Sequence, residues 1–230
     1  MNRRLGTSPS HGRDDPKRLA WWGALVAALI TLQYASRYGS SGSGPSEPLY
    51  QWSFLGASVG QEVFFLLVIL AIAGFRLRPF ALRRPRSLGE AAGLALVVFV
   101  AVNVFETVYI QLVQPGNEQG LTPTHWEPQH AAAYVANGIV ICTLVPFVEE
   151  LTFRGLGFSL LEPFGRWVAI VATGVLFGLS HGLLLELPII AAFGCLLGWL
   201  RARTGSVFPG MALHAAFNLF ALIAAVTIGG

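Results

Sequence analysis

The chain has 230 residues, of which 54% are hydrophobic and only 12% are charged. Soluble domains carry about a quarter charged residues, so this composition excludes an ordinary soluble domain and points to an integral membrane protein. The formal net charge of +3 is small and argues against a nucleic-acid partner.

Residues 1–18 form a basic, polar tail with Arg3, Arg4, Arg13, Lys17 and Arg18 against Asp14 and Asp15; such a composition predicts disorder. Seven apolar segments follow, over 19–36, 54–75, 88–113, 137–161, 167–185, 187–201 and 207–228. Each is near the length that crosses a ~30 Å hydrocarbon core, the sixth being short. The first resembles a signal peptide in its small-residue flank "LQYASRYGSS", but Trp21 and Trp22 suit an interfacial anchor. The expected fold is an all-α, polytopic transmembrane helical bundle of about seven helices, because helices satisfy their own backbone in lipid. The chain divides into the tail (1–18), N-terminal helices and loops (19–136) and a helical core (137–228). Gly174, Gly178, Gly182, Gly194 and Gly198 mark expected helix–helix contacts. Cys142 and Cys195 lack metal-type spacing and read as buried free thiols.

The loops predict orientation. The tail is basic, and the loop "RLRPFALRRPR" carries Arg76, Arg78, Arg83, Arg84 and Arg86. Arg166 borders another loop, and Arg201 and Arg203 the last. The intervening loops are nearly free of Lys and Arg; 114–136 holds Glu118 and Glu127 and neither basic residue. This alternation predicts a cytoplasmic N-terminus and an outside C-terminus. With the Arg/Ala/Gly-rich composition it suggests a bacterial inner membrane.

The fourth segment contains "PFVEELTFRG", Pro146 to Gly155. A charge near the bilayer centre costs roughly 2.5–3.5 kcal/mol on insertion scales, so three charges there point to function. On a helix Glu150 and Arg154 are i and i+4 and can pair. Glu149 lies about 100° round from Glu150 and faces elsewhere, as a general base requires. Pro146 predicts a kink and a freed carbonyl one turn earlier. The fifth segment contains "FGLSHG", with His181 four residues after Phe177, so the two rings can pack. The seventh contains "HAAFN", with His214 and Asn218 on one face. If the fourth helix continues to about Leu161, Glu149, His181 and His214 lie roughly 18, 21 and 12 Å from their cytoplasmic helix ends and can meet near mid-membrane.

A carboxylate, two histidines and an amide converging in an apolar bundle suggest hydrolysis. In one version Glu149, with His181, deprotonates a water while His214 and Asn218 donate to the oxyanion. In the other, Glu149, His181 and His214 hold a zinc ion that activates the water. The spacing leaves both open, with a zinc ion or no cofactor.

The three motifs, EExxxR at Glu149–Arg154, FxxxH at Phe177–His181 and HxxxN at His214–Asn218, together resemble the CAAX protease and bacteriocin-processing (CPBP, or Abi) family of intramembrane endopeptidases. The resemblance covers about 137–228. It implies a helical membrane peptidase of glutamic or metallo type. Glu149 would be its base, Glu150 and Arg154 its support, and His181, His214 and Asn218 the rest of the site. The implied partners are the lipid bilayer and a membrane-associated peptide or protein tail. Residues 1–136 carry no motif that indicates a substrate.

Other readings account for less. "GLSHG" fits G-x-S-x-G and permits a rhomboid-like serine peptidase using Ser180 and His214. That reading leaves the two glutamates and Arg154 unexplained and lacks the strand–turn–helix context. Aspartyl chemistry is excluded, since Asp14 and Asp15 in the tail are the only aspartates. A transporter or proton relay would use intramembrane Glu62 and Glu106 as well, but no internal repeat accompanies them. The bland reading of those two is buried hydrogen-bonding or snorkelling groups. A non-catalytic immunity scaffold would keep the motifs for packing alone. His125 and His130 flank Trp126 and read as exposed loop residues.

Overall fold

The computed structural model describes residues 16–39, 47–116, 118, 123 and 126–228. The tail to residue 15 and His125 lie outside them. Helix α1 already begins at Pro16 and runs to Tyr38. It is followed by α2 (Trp52–Ile72), α3 (Leu88–Val113), α4 (Ala131–Cys142) and α5 (Leu144–Glu150). A π-helix (Leu151–Gly157), α6 (Phe158–Leu161), α7 (Arg166–Leu179), α8 (Leu187–Thr204) and α9 (Phe208–Ile228) complete the order. No strand occurs among the described residues.

Six helical segments are long and apolar enough to cross a membrane, the fourth being the composite Pro128–Phe164. The outer surface agrees. Leu112, Trp167 and Leu88 are 79%, 69% and 68% exposed, which suits lipid and not water. The polytopic bundle expected from the sequence is thus present, with one difference. The fifth segment, expected over 167–185, is helical only to Leu179. Its 14 residues rise about 21 Å, short of a full crossing. Residues 180–186 form a turn instead, with His181 N donating to the Gly178 carbonyl and Gly182, at φ 67°, closing it. Gly182 also presses against Gln33 of α1, where a Cβ would come within 3.0 Å.

The fourth segment is the axis of the bundle. It breaks at Thr143 (φ −125°, ψ −67°), three residues before Pro146, which lacks an N–H to continue the ladder. Beyond the break it runs on through the glutamates to Leu161, as the depth argument requires, but Leu151–Gly157 are π-helical. All seven of those residues are buried, and Leu151, Phe153 and Leu156 join one core with Trp22, Val26, Ile69, Phe177, Phe193 and Leu213. Two glycines admit the neighbours. A Cβ on Gly157 would lie 2.3 Å from the Trp22 ring, and one on Gly155 3.0 Å from Phe80. Trp22 Nε1 also donates to the Thr152 carbonyl at 3.0 Å.

The glycines expected at contacts do bring helices together. A Cβ on Gly174 would meet the Cys195 backbone at 2.5 Å, and one on Gly178 would meet Ala191 at 3.0 Å. Hence α7 and α8 pack almost backbone to backbone. The arginine-rich loop is folded under the bundle as well as exposed. Phe80 is fully buried, Arg83 Nε donates to the Gly205 carbonyl at 2.7 Å, and Ser159 Oγ donates to the Pro79 carbonyl at 2.6 Å.

Candidate functional site

Glu150 and Arg154 are both fully buried and pair as the sequence predicts, with Nη1 to Oε1 at 3.1 Å. The guanidinium is held from two further sides. Nη2 donates to the Gly194 carbonyl at 2.8 Å, and the charge lies 4.3 Å from the centre of the Phe177 ring. A cation over an aromatic face gains most when desolvated. Gly194 is required here, because a Cβ would come within 2.7 Å of the Gly174 carbonyl oxygen and 3.1 Å of Nη2.

His214 of α9 is 4% exposed and stands between the two glutamates. Its Nε2 is 3.6 Å from Glu149 Oε2, and its Nδ1 is 3.5 Å from Glu150 Oε1. Phe177 and Phe193 wall the ring edge-on at centroid distances of 5.7 and 5.4 Å. Gly210, one turn earlier on α9, makes the approach possible: a Cβ there would sit 2.7 Å from Glu150 Oε2. Sequence reasoning passed over Gly210; its signal is a glycine four residues before the histidine in an apolar helix.

His181 does reach the site, from the turn after α7. Its ring packs on Phe177 at 4.7 Å, and Nδ1 donates to the Phe177 carbonyl at 2.7 Å. A carbonyl only accepts, so the neutral imidazole carries its proton on Nδ1 and offers Nε2 as an acceptor. Asn218 Nδ2 donates to the Ile141 carbonyl at 2.8 Å, next to the break at Thr143, and keeps its second N–H. The bond ties α9 to the broken axis.

Two cavities meet this array. One of about 250 Å³ is lined by His181, His214, Asn218, Phe177, Glu106 and Glu186 among others. The other, about 50 Å³, is lined by Glu149, Glu62, Gln33, Gln61 and Ser180 among others. It is polar and large enough for water. Glu149, with 23% of its side chain exposed, belongs to the smaller cavity and touches the larger through His214. The sequence reading left Glu62 and Glu106 as bland buried groups; each lines one of the two cavities. Ser180 Oγ donates to the Phe177 carbonyl at 2.8 Å and lines the cavity that His214 does not.

The turn carrying His181 is tied down by residues the motifs do not include. Tyr34 of α1 and Tyr109 of α3 donate to the carbonyls of Leu183 and Leu185 at 3.1 and 2.7 Å. The Glu118 carboxylate accepts the backbone N–H groups of Leu184, Leu185 and Glu186 at 2.8, 2.8 and 2.9 Å. Burial alone would raise the Glu118 pKa, but these three amides outweigh it and hold the carboxyl below its ordinary value.

Among the described residues no three His, Cys, Asp or Glu side chains are grouped as a metal site requires. The Glu149, His181 and His214 donor set of the zinc version is not among such groups.

The family model described as type II CAAX prenyl endopeptidase Rce1-like matches residues 131–220. The matched stretch takes in all three motifs and bears out the resemblance to CAAX proteases. It supports a protease embedded in the membrane. No curated protein and no solved structure matches the chain.

Proposed function

From the Rce1-like match over residues 131–220 and the geometry around Glu149, we propose that the protein is an intramembrane endopeptidase in which Glu149 activates water. The observation that carries the reading is the position of Glu149. It lies between a polar cavity able to hold water and the cavity lined by His181, His214 and Asn218. Glu150 is neutralised by Arg154, which leaves Glu149 as the carboxylate free to take a proton.

The step balances without a cofactor. Glu149, assisted by the free Nε2 of His181, takes a proton from water as its oxygen attacks the scissile carbonyl carbon. The oxyanion accepts hydrogen bonds from Asn218 and His214, which line the larger cavity. On collapse the C–N bond breaks, Glu149 returns the proton to the leaving amine, and the carboxylate is restored. The serine alternative is disfavoured because Ser180 Oγ already donates to the Phe177 carbonyl and because it gives the buried Glu150–Arg154 pair and Glu149 no role.

The substrate is a membrane-associated peptide or protein tail, since the cavities lie within an apolar bundle. The basic tail and the Arg76–Arg86 loop support a cytoplasmic N-terminus, and the Arg/Ala/Gly-rich composition supports a bacterial inner membrane. The test is cleavage of a membrane-tethered peptide by purified protein. Glu149→Gln abolishes turnover with unfolding temperature unchanged, Ser180→Ala retains it, and a chelator leaves the rate within about twofold. Retained turnover in Glu149→Gln, or its loss in Ser180→Ala with folding intact, overturns the reading. Chelator-sensitive turnover restored by zinc overturns the metal-free version.

A further inference from the structure

Glu62 of α2 is a buried carboxyl that the hydrolytic step does not use. It is 5% exposed. It lines the smaller cavity with Gln61 of α2, Gln33 of α1, Glu149 of α5 and Ser180 of the turn after α7. Four separate segments thus bring polar side chains to one space inside an apolar bundle. Such groups are costly in lipid unless hydrogen-bonded, and water in the cavity meets that need. The space is narrow: about 50 Å³ has room for only a few water molecules. The two carboxyl groups on its wall are therefore within reach of the same few waters. The hydroxyls on the wall are already engaged, since Ser180 Oγ donates to the Phe177 carbonyl and Thr152 Oγ1 to the Val148 carbonyl, both at 2.8 Å. No Lys, Arg or His lines the cavity, so a second carboxylate beside Glu149 would find no counter-charge there. What Glu62 brings is hydrogen-bonding atoms rather than charge. Gln61 is exposed and Gln33 half-buried, so polar groups run from the surface through Glu62 to Glu149.

We propose that Glu62 is a positioning residue that holds the attacking water of the smaller cavity against Glu149. The inference rests on the reading of Glu149 as the base. It adds a residue that the three motifs do not contain and that lies outside the matched stretch 131–220. Both proton transfers stay with Glu149: Glu62 takes none from the attacking water and gives none to the leaving amine. It fixes where the water oxygen stands and which proton points at Glu149, which is a contribution to geometry. A glutamine side chain has a donor and an acceptor at the same reach and can do the same; a leucine has neither.

The test is steady-state cleavage by full-length protein in neutral detergent, with unfolding temperature measured on the same samples. The substrate is the internally quenched N-lauroyl peptide, chosen from a randomised set, that the wild-type protein cleaves fastest. In Glu62→Leu, and in Glu62→Met as an apolar side chain of similar length, kcat is expected to fall about tenfold or more. KM stays within about twofold, because the lost contact is to water and not to the peptide. The unfolding temperature does not fall, since an apolar side chain replaces a buried carboxyl. Glu62→Gln restores kcat to within about threefold of wild type. Wild-type kcat in both apolar variants overturns the proposal. So does a Glu62→Gln protein as slow as Glu62→Leu, which would assign Glu62 a charge or proton-transfer role. A change confined to KM would make Glu62 a substrate contact, and a loss of kcat that tracks a lowered unfolding temperature would make it structural; each also overturns it. Failure of the base reading shows separately, as cleavage that survives Glu149→Gln.

Discussion

Arg154 sits where a cation has least to gain from its surroundings, and three partners make up the difference. Glu150, the Gly194 carbonyl and the Phe177 face each take one part of the guanidinium. Removing one member of a buried pair leaves the other uncompensated and costs about 3–5 kcal/mol. Arg154→Ala is therefore expected to lower the unfolding free energy, read from denaturant unfolding, by that amount and to abolish cleavage. Arg154→Lys recovers little of either, because an ammonium cannot span the same three partners. Gly210 gives a sharper test, since it bears no functional group. Its replacement by Ala puts a methyl 2.7 Å from Glu150 Oε2, and Glu150 cannot retreat while Arg154 holds it. Displacing a site group by about 1 Å can lower turnover by about 10²-fold, with an overpacking cost of about 1–3 kcal/mol. A Gly210→Ala protein that cleaves at the wild-type rate would show that Glu150 plays no part in placing His214.

Two elements position the reactive groups by departing from regular helix. The π-helix from Leu151 to Gly157 widens the axis directly after the glutamates, as single π turns commonly do at functional sites. It depends on Gly155 and Gly157 letting Phe80 and Trp22 in. Gly157→Leu is expected to expel the Trp22 ring, lose its bond to Thr152 and destabilise the protein by more than 1 kcal/mol, visible in tryptophan fluorescence and thermal unfolding. The other element is the 180–186 turn, whose amides are gathered by Glu118. The folded-state pKa of Glu118 is depressed, so its stabilisation is complete above the ordinary glutamate value of about 4.3. It is lost as pH falls through the lower folded value. Hydrogen exchange at Leu184, Leu185 and Glu186 should accelerate on acidification through that range, after allowance for the intrinsic rate. In Glu118→Gln exchange should be fast already at neutral pH, while His181-dependent cleavage falls. Protection that is indifferent to Glu118→Gln would remove this carboxylate from the account.

At the scale of the whole molecule, α7 ends short of a full crossing, and the turn that leads into α8 sets His181 on the cavity that His214 and Asn218 of α9 also line. The backbone-close packing at Gly174 and Gly178 fixes that pair, and the buried Phe80 loop closes the end of the bundle where α8 turns into α9. The proposed orientation puts this arginine-rich loop in the cytoplasm and the 126–130 segment outside. In protein lacking Cys142 and Cys195, a membrane-impermeant maleimide applied to intact cells should label a Gln129→Cys variant. It should leave Arg84→Cys unlabelled until the membrane is opened. The reverse pattern would invert the topology.

The membrane class, the helical bundle and the three motifs were all legible in the sequence, because each rests on local chemistry: apolar length, charge cost in lipid, and four-residue spacing that puts two side chains on one helix face. The Glu150–Arg154 pair and the Phe177–His181 contact are such cases, and both are present as read. What the sequence could not decide is long-range. The end of α7 at Leu179 follows from how the turn is held by Tyr34, Tyr109 and Glu118 from three distant segments. The π-helix is met by a tryptophan 130 residues away, whose ring nitrogen donates to the Thr152 carbonyl. Most of all, His214 stands between Glu149 and Glu150 only because Gly210 lets α9 approach the broken axis. Helical spacing can put groups at the same depth in the membrane; only packing decides which of them face each other.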